Sequence, residues 1–362
     1  MRALITGAGG FAGHYLATHL AQVTDWDLWG TQRPLGGSYA GSNTDVARRS
    51  ELPGRRTLDA TWATERRLQP VAVELADYGA TRDALADIRP DFLFHLAAQS
   101  IVQRAFSDPE STLVNNIVGE LNVLRAIKEL NLPTRILLVG SSEEYGHVEP
   151  EDLPVDEDTP FRPENPYAVS KIAQDMLGLQ YFLTFKVPVI RVRPFNHIGP
   201  GQGEQFVTAA FARQVAAIEA GQQEPVLHVG NLSAERDFTD VRDMVRAYHL
   251  AITEGEPGAV YNLGSGQATS ISRILDTLLA MSTVAVRIER DPTRLRPADV
   301  PRIVCDPGRF RGRTGWEPRI ALQTSLTDIL NDWRQRVLAD APAPPVADPS
   351  PQTASSTREE DQ

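Results

Sequence analysis

The first 22 residues constrain the fold of this chain more than any other stretch. A short apolar run, Ala3 to Thr6, precedes the glycine-rich turn GAGGFAG, and a helical pattern from His14 to Gln22 follows it. Strand, glycine turn and helix in this order let backbone amides and a helix N-terminus approach a dinucleotide pyrophosphate. A purely structural turn is the alternative. The turn fits both GxxGxxG and GxGxxA, and its expected cofactor contacts are Gly7, Gly10, Phe11, Ala12 and Gly13.

The rest of the first half alternates between apolar strands and helical patterns. Its strand runs are continuously apolar, as in parallel strands that are covered on both faces. This alternation predicts an α/β fold with a Rossmann-type, doubly wound parallel sheet. The predicted strands after the first are Trp26 to Gly30, Val71 to Leu75, Phe92 to Leu96, Arg135 to Gly140 and Val187 to Arg193.

The regular alternation ends near residue 195, which suggests two unequal parts. We expect residues 1–195 to form the Rossmann domain and residues 196–318 to form mostly a smaller α/β substrate-binding lobe, with residues 236–252 packing back on the first domain. Residues 319–340 should form a C-terminal helix. Residues 341–362 are rich in Pro, Ser and Thr, and we expect them to be disordered.

The overall charge is acidic. The chain has 36 Lys and Arg residues and 47 Asp and Glu residues, so its formal net charge is 36 − 47 = −11. This charge argues against nucleic acid or an anionic membrane as a partner. The single Cys305 excludes an internal disulfide and a Cys-rich metal site, and we expect no metal. The start MRALITGAGG lacks signal-peptide flanks, and no apolar run approaches the ~20 residues that span a bilayer. These features predict a cytoplasmic enzyme.

The end of the second strand bears on the choice of cofactor. Arg33 follows the glycines by about 20 residues, where an NAD site normally has an acid for the ribose hydroxyls. A guanidinium there favours a 2′-phosphate, so we expect NADP(H), with NAD(H) as the alternative.

The stretch Pro34 to Gln69 is too long for a tight connection. It is interpreted as a surface excursion, or as an arm that reaches a neighbouring subunit.

Further cofactor contacts are expected beyond the fourth strand. Small residues after this strand let a cofactor lie close to the backbone, and Asn116 near the start of the next helix is a candidate ligand, although a helix Asn can equally be a surface residue or a cap. The residues expected to bind here are Leu96, Ala97, Ala98 and Asn116.

A candidate catalytic centre follows the strand Arg135 to Gly140. Ser141 and Glu143 come at the carboxyl end of this strand, where open α/β sheets bind ligands. Tyr167 and Lys171 are four residues apart and share one face of a predicted helix. A nearby ammonium lowers the pKa of a phenol, so the Tyr can exchange a proton with a sugar oxygen that the Ser hydroxyl holds. A YxxxK motif alone is common and is also expected on an ordinary helix with an exposed Tyr and Lys. The predicted cofactor site at the N-terminus is the reason to interpret this pair as catalytic.

Five motifs occur in order, TGAGGFAG, HLAAQS, SSEEYG, PYAVSK and RPFNHIGPGQ. Together they resemble the extended short-chain dehydrogenase/reductase family of nucleotide-sugar enzymes, and NHIGPGQ, GNL and RDF resemble its GDP-mannose branch. The resemblance implies that Ser141, Tyr167 and Lys171 are catalytic. It places Glu143 where dehydratases of the branch have the carboxylate that removes the sugar C5 proton.

The resemblance also implies contacts with cofactor and substrate. Glu74 and Leu75 match the adenine-contact position, although the family usually has Asp where Glu74 stands. Arginines in the lobe suit bidentate diphosphate contacts, and surface ion pairs are the alternative. The implied contacts with a GDP-sugar are Gln99, Ser100, Ser142, Glu143, Asn196, Asn231, Arg236, Arg296 and Asp299.

Three functions remain open at this stage. The first is reduction of the C4 ketone of GDP-4-keto-6-deoxy-D-mannose to a GDP-6-deoxyhexose, with GDP-D-rhamnose as the favoured product. The second is 4,6-dehydration of GDP-mannose with tightly bound NADP. The third is non-catalytic binding of a nucleotide sugar or NADP. The loop FNHIGPGQ resembles the reductase version and favours the first.

Two predicted helices, Val114 to Leu130 and Tyr167 to Phe185, each have a wide apolar surface that suggests a second burial partner. The resemblance implies a four-helix interface and a homodimer, or a tetramer. Burial within the core of one chain is the alternative. The apolar residues concerned are Leu121, Leu124, Ile127, Met176, Leu177, Leu179 and Phe182.

Overall fold

A computed structural model describes residues 1–34, 60–294 and 300–339. Most of the predicted excursion, the candidate substrate residues Arg296 and Asp299, and the predicted tail lie outside the described residues.

A seven-stranded parallel sheet forms the larger part of the molecule, with the strand order β10-β6-β5-β4-β1-β2-β3. The chain runs outward from β1 in both directions, so β1 and β4 flank the point at which the strand order reverses, where such sheets bind ligands. The predicted doubly wound parallel sheet is confirmed. Its strands are β1 Arg2–Thr6, β2 Asp27–Gln32, β3 Leu68–Ala72, β4 Phe92–His95, β5 Arg135–Val139, β6 Val189–Pro194 and β10 Val260–Leu263.

Helices cover both faces of this sheet. On one face, α1 and α9 bury Leu16, Leu20 and Tyr248; on the other, α3, α6 and α7 bury Leu85, Leu124 and Tyr181. The helices are α1 Phe11–Val23, α2 Ala60–Glu65, α3 Tyr78–Ile88, α4 Val102–Ser107, α5 Pro109–Leu113, α6 Gly119–Glu129, α7 Pro166–Phe185 and α9 Val241–Glu254, with a π turn at Val114–Val118 and 3₁₀ turns at Ser142–Glu144 and Pro150–Asp152.

The smaller lobe contains two small sheets, with the orders β11-β9-β7 and β12-β8. Its helices α8, α10 and α12 pack around a separate core that includes Phe211, Leu275 and Leu330. Its elements are β7 Asn196–Ile198, α8 Val207–Glu219, β8 Val226–Val229, β9 Glu235–Asp240, β11 Ala268–Ser270, α10 Ile271–Ala280, β12 Arg287–Arg290, a 3₁₀ turn Pro292–Arg294 and α12 Leu322–Ala339. The helix α11 Gly308–Thr314 instead packs against α9 and β10, with Phe310 in the core of the main sheet.

Some boundaries differ from the predictions. β3 begins at Leu68, three residues before the predicted strand. The prediction missed these residues because β3 is an edge strand, and its exposed Gln69 and Pro70 do not show the apolar pattern of a buried strand. β10 joins the main sheet next to β6, so the range 196–318 contributes a strand to the Rossmann domain. The C-terminal α12 packs in the core of the smaller lobe.

Candidate active site

The glycine-rich turn lies against the end of β4. Gly7 has φ +72°, and a Cβ atom on it would lie 2.9 Å from the Ala97 Cα. A Cβ atom on Gly13 would lie 2.3 Å from the Gly7 carbonyl oxygen. Only glycine therefore fits at these two positions. α1 begins after Gly10, which has no side chain to cap it, so first-turn amides can bind a pyrophosphate. The cradle fits a dinucleotide.

Arg33 lies beyond the end of β2. Its guanidinium is 3.5 Å from the Glu74 carboxylate, and both side chains are about one-third exposed. It also donates to Asn115 Oδ1. A partly exposed ion pair is worth about 0–1 kcal/mol, so a phosphate can replace it at little cost. The structure thus brings together two of the predicted cofactor residues, Arg33 and Glu74.

Asn116 lies in the π turn and is fully buried. Its Oδ1 accepts from the Gln99 amide at 2.7 Å, and its Nδ2 donates to the Gln99 carbonyl at 3.1 Å and to Ser170 Oγ at 2.9 Å. The side chain therefore fixes the loop after β4 against α7. The Gln99 side chain donates to the Ile101 carbonyl of the same loop and to Thr112 Oγ1 on α5. Both residues shape the cofactor edge of the sheet.

Ser141 closes the turn that follows β5. Its Oγ accepts from the Glu143 amide at 3.2 Å, and the Glu144 carboxylate accepts from the Ser141 amide at 2.8 Å. This reciprocal capping box fixes the Ser141 backbone at the sheet edge. Ser142, a predicted substrate residue, is buried behind the turn.

The helix α7 carries the other two predicted catalytic residues. Asn165 caps it by accepting from the Ala168 amide at 2.8 Å, and Pro166 occupies its first position. Tyr167 and Lys171 lie on its buried face. The Ser141 side chain lies close enough to Tyr167 to bear on the pKa of its phenol, and Lys171 Nζ donates to the Val139 carbonyl at 2.8 Å.

The acidity of Tyr167 differs from the expectation. Burial raises its pKa above the ordinary value for a phenol, and the carboxylates of Glu143 and Glu144 add to this, against the nearby Ser141 hydroxyl. The net shift is therefore upward instead of the expected downward shift, because removal from water dominates. The phenol carries its proton at neutral pH, as an unperturbed phenol also would.

Glu143 lies next to the phenol on the Ser142–Glu144 turn. Its Oε2 accepts from Asn165 Nδ2 at 3.0 Å. Asn165 therefore caps α7 and also holds the Glu143 carboxylate, a role that sequence reasoning missed. The Asn-Pro pair that opens the helix could have indicated the cap but not the second contact.

A buried ionic network behind the turn was also missed. Arg193 Nε lies 3.3 Å from Glu144 Oε2 and 3.0 Å from Asp175 Oδ2. Burial and then Asp175 raise the pKa of Glu144 to about 8, against the opposing charge of Arg193. Two arginines within the apolar run VIRVRP were the available signal, since charges in a central strand need partners.

The predicted substrate residues of the smaller lobe lie on or beside its three-stranded sheet. Asn196 is exposed at the start of β7, which pairs with β9. Asn231 Oδ1 accepts from the Ser233 amide at 3.0 Å and from its hydroxyl at 2.8 Å. Arg236 on β9 donates to the Glu235 carbonyl at 2.9 Å. Ser100 is exposed at the end of the loop after β4.

Within residues 1–34, 60–294 and 300–339, no cluster of three or more His, Cys, Asp or Glu side chains is arranged to hold a metal ion. None of the helices in the same ranges has the length and apolar character to cross a membrane.

The parallel sheet with its glycine-rich turn is the fold of the extended short-chain dehydrogenase/reductases. The family model of GDP-mannose 4,6 dehydratase matches residues 4–329, and the chain belongs to this family. The predicted family and fold are confirmed.

Relatives with two different activities match almost the whole chain. A GDP-6-deoxy-D-mannose reductase from Pseudomonas aeruginosa is 37% identical over 340 residues, which cover 93% of this chain and 98% of the relative. A GDP-mannose 4,6-dehydratase from Vibrio cholerae serotype O1 is 28% identical over 364 residues, covering 91% and 92%. A solved structure of RMD from Pseudomonas aeruginosa complexed with NADPH has a TM-score of 0.76 and 36% identity, covering 92% of this chain and 99% of that one.

Proposed function

We propose that this protein is an NADPH-dependent reductase of the C4 ketone of GDP-4-keto-6-deoxy-D-mannose. The product is a GDP-6-deoxyhexose, with GDP-D-rhamnose favoured. The observation that carries the proposal is the buried Tyr167 phenol on α7, beside Ser141 and one helical turn from Lys171, whose Nζ donates to the Val139 carbonyl. Reduction of a ketone needs such a proton donor. The higher identity to the reductase than to the dehydratase supports the same choice.

The chemistry follows from these side chains. NADPH on the glycine cradle would supply the hydride. Ser141 and Tyr167 hold the ketone oxygen, and Tyr167 gives this oxygen its proton as negative charge develops on it. Lys171, fixed by the Val139 carbonyl one helical turn from Tyr167, favours the phenolate that remains. The tyrosine thus acts as a general acid.

Dehydration of GDP-mannose is the second candidate, and Glu143 is the observation that favours it. Its carboxylate lies next to Tyr167 and is held by Asn165. A carboxylate in this place can remove a proton from the substrate. Non-catalytic binding has less support, because binding a nucleotide sugar or NADP does not require the Ser, Tyr and Lys side chains together, whereas ketone reduction uses all three.

The two activities are separated by supplying each substrate in turn. We expect the protein to oxidise NADPH when it is given GDP-4-keto-6-deoxy-D-mannose, with loss of absorbance at the reduced-nicotinamide band, and to leave GDP-mannose largely unchanged. Rapid consumption of GDP-mannose without added reductant would place the dehydratase first.

Replacement of Arg33 tests the preference for NADP(H). Arg33→Ala should weaken NADPH binding about 10-fold or more, since a charge-assisted contact of about 1.5–3 kcal/mol to the 2′-phosphate is lost. NADH has no 2′-phosphate, so its affinity should change little. Fluorescence titration with both cofactors measures this, and Arg82→Ala, an exposed arginine on α3, is the control. Equal losses for NADPH and NADH would contradict the assignment.

We also propose a homodimer through the outer side of α7 and the π turn. Leu124 and Ile127, predicted to contribute to the interface, are instead buried in the core. The exposed apolar residues of this surface are Val114, Val169, Met176, Leu183 and Phe185.

The dimer is tested by light scattering. We expect the mass of two chains, and Met176→Glu should shift the protein toward monomer because it buries an unpaired charge. The mutation Val284→Glu, at an exposed apolar residue of the smaller lobe, should leave the mass unchanged. A parent protein that stays monomeric at all concentrations would refute the proposal.

A further inference from the structure

The acid Glu74 lies beside Arg33 at the ligand-binding edge of the main sheet. β2 and β3 are parallel neighbours, so Arg33 and Glu74, which follow these strands by one and two residues, leave the sheet at the same edge. The glycine-rich turn borders this place, because the Gly7 amide donates to Thr31 Oγ1 at 3.1 Å. An acid therefore lies next to the guanidinium that is expected to bind the 2′-phosphate of NADPH.

The Arg33 guanidinium is already engaged in this structure. Its Nε lies 3.5 Å from Glu74 Oε2, and it donates to Oδ1 of Asn115. The turn after β3 holds Glu74 in place, since its Oε1 accepts from the Ala76 amide at 3.3 Å. The Asn115 amide is neutral, whereas the Glu74 carboxylate has the same sign of charge as a phosphate. Of these two partners, Glu74 is therefore the one that competes with a 2′-phosphate.

We propose that Glu74 is a specificity-determining residue that reduces the preference of the protein for NADPH over NADH. Its carboxylate competes with the 2′-phosphate for the Arg33 guanidinium, so the loss of the ion pair offsets part of the free energy gained from the phosphate contact. NADH has no 2′-phosphate, and its binding leaves the ion pair in place. The proposal rests on the assignment of Arg33 to the 2′-phosphate, and it is independent of which sugar the protein reduces.

This role differs from the adenine contact that the family resemblance implies for Glu74. The adenine is the same in both cofactors, so an adenine contact changes the affinities for NADPH and NADH by the same factor. Competition for Arg33 changes the affinity for NADPH alone. The ratio of the two affinities therefore isolates the competition from any contact with the base. Because both side chains are about one-third exposed, water and salt screen their interaction and keep the effect moderate.

Glu74→Gln tests the proposal, because glutamine keeps the length of the side chain and removes its charge. We expect the ratio of NADPH affinity to NADH affinity to rise about fivefold, the upper end of what an exposed ion pair contributes. Fluorescence titration with each reduced cofactor at low ionic strength gives both dissociation constants. The difference between variant and parent should shrink at high salt, because ions screen the charges of partly exposed groups.

The matched control is Glu129→Gln. Glu129 also pairs with an arginine, Arg125, at 2.8 Å, and its side chain is 39% exposed against 36% for Glu74. It lies at the end of α6, shortly before β5 begins, and so at the edge of the sheet away from the cofactor. The substitution removes the same charge from a similar ion pair, and it should leave the ratio of the two affinities unchanged.

An unchanged ratio in Glu74→Gln would overturn the proposal, and so would an equal change in both affinities, which is the result of an adenine contact alone. In an Arg33→Ala background, Glu74→Gln should alter the ratio much less, because the guanidinium for which the two anions compete is absent. A rise of the same size in that background would overturn the competition.

The titrations need no turnover, so a protein that does not reduce the keto sugar still decides the role of Glu74. If Arg33→Ala alone weakens NADPH and NADH equally, Arg33 does not bind the 2′-phosphate, and the role proposed for Glu74 fails with that assignment.

Discussion

Replacing Tyr167 by Phe is expected to lower the rate of 4-keto reduction by about 10²- to 10⁴-fold, the usual contribution of a positioned general acid. The ring is buried on α7, and Phe fills the same space. The change removes the hydroxyl that lies beside Ser141 and would protonate the ketone oxygen. Packing and the glycine cradle should be unaffected, so NADPH affinity should stay near the parent value.

The measurement is steady-state reduction of the keto sugar together with a fluorescence titration of NADPH. Tyr181→Phe is the matched control, because Tyr181 is a buried tyrosine of the same helix that packs in the core with α3 and α6. It should retain most of the activity. Unchanged turnover in Tyr167→Phe would remove this residue from the mechanism, whereas loss of NADPH binding would show that the substitution had damaged the cofactor site.

Local sequence patterns were sufficient to predict the glycine-rich turn, the Tyr167 and Lys171 pair and most strands of the sheet. The glycine turn was predictable because close backbone approach leaves no room for a Cβ at Gly7 or Gly13. Tyr167 and Lys171 were predictable as a pair because their spacing places them on one helix face. The sheet followed from continuously apolar runs, except at β3, whose edge position removes that pattern at Gln69 and Pro70.

What the sequence could not give depends on which elements pack together. Asn165 precedes a helix that looks ordinary, and its contact with Glu143 emerges only when α7 and the turn after β5 meet. The apolar stripes of α6 could not be assigned to the core or to a partner, since amphipathic spacing specifies a buried face but not what buries it. Leu124 and Ile127 proved to face the core.

The acidity of Tyr167 shows the same limit. The sequence places an ammonium four residues away and so predicted a lowered pKa. The structure adds burial and two carboxylates, Glu143 and Glu144, and the direction reverses.

Glu143→Gln should separate the two activities that the family contains. Reduction at C4 needs a hydride and the Tyr167 proton, and neither comes from Glu143. Dehydration needs in addition a base that breaks the C5–H bond, and Glu143 is the carboxylate placed for that task. Gln keeps the volume and one acceptor oxygen for Asn165 Nδ2 while it removes the basicity. The substitution therefore tests chemistry with little change in packing.

We expect reduction of the keto sugar by Glu143→Gln to stay within about tenfold of the parent, a barrier change of about 1.4 kcal/mol. Any dehydration of GDP-mannose by the parent should fall by about 10²- to 10⁴-fold, the usual cost of losing a general base. Glu149→Gln, an exposed glutamate after the turn, is the control and should affect neither rate. If Glu143→Gln instead abolishes 4-keto reduction, the carboxylate takes part in binding the ketone, and Tyr167 and Ser141 are not sufficient to activate it.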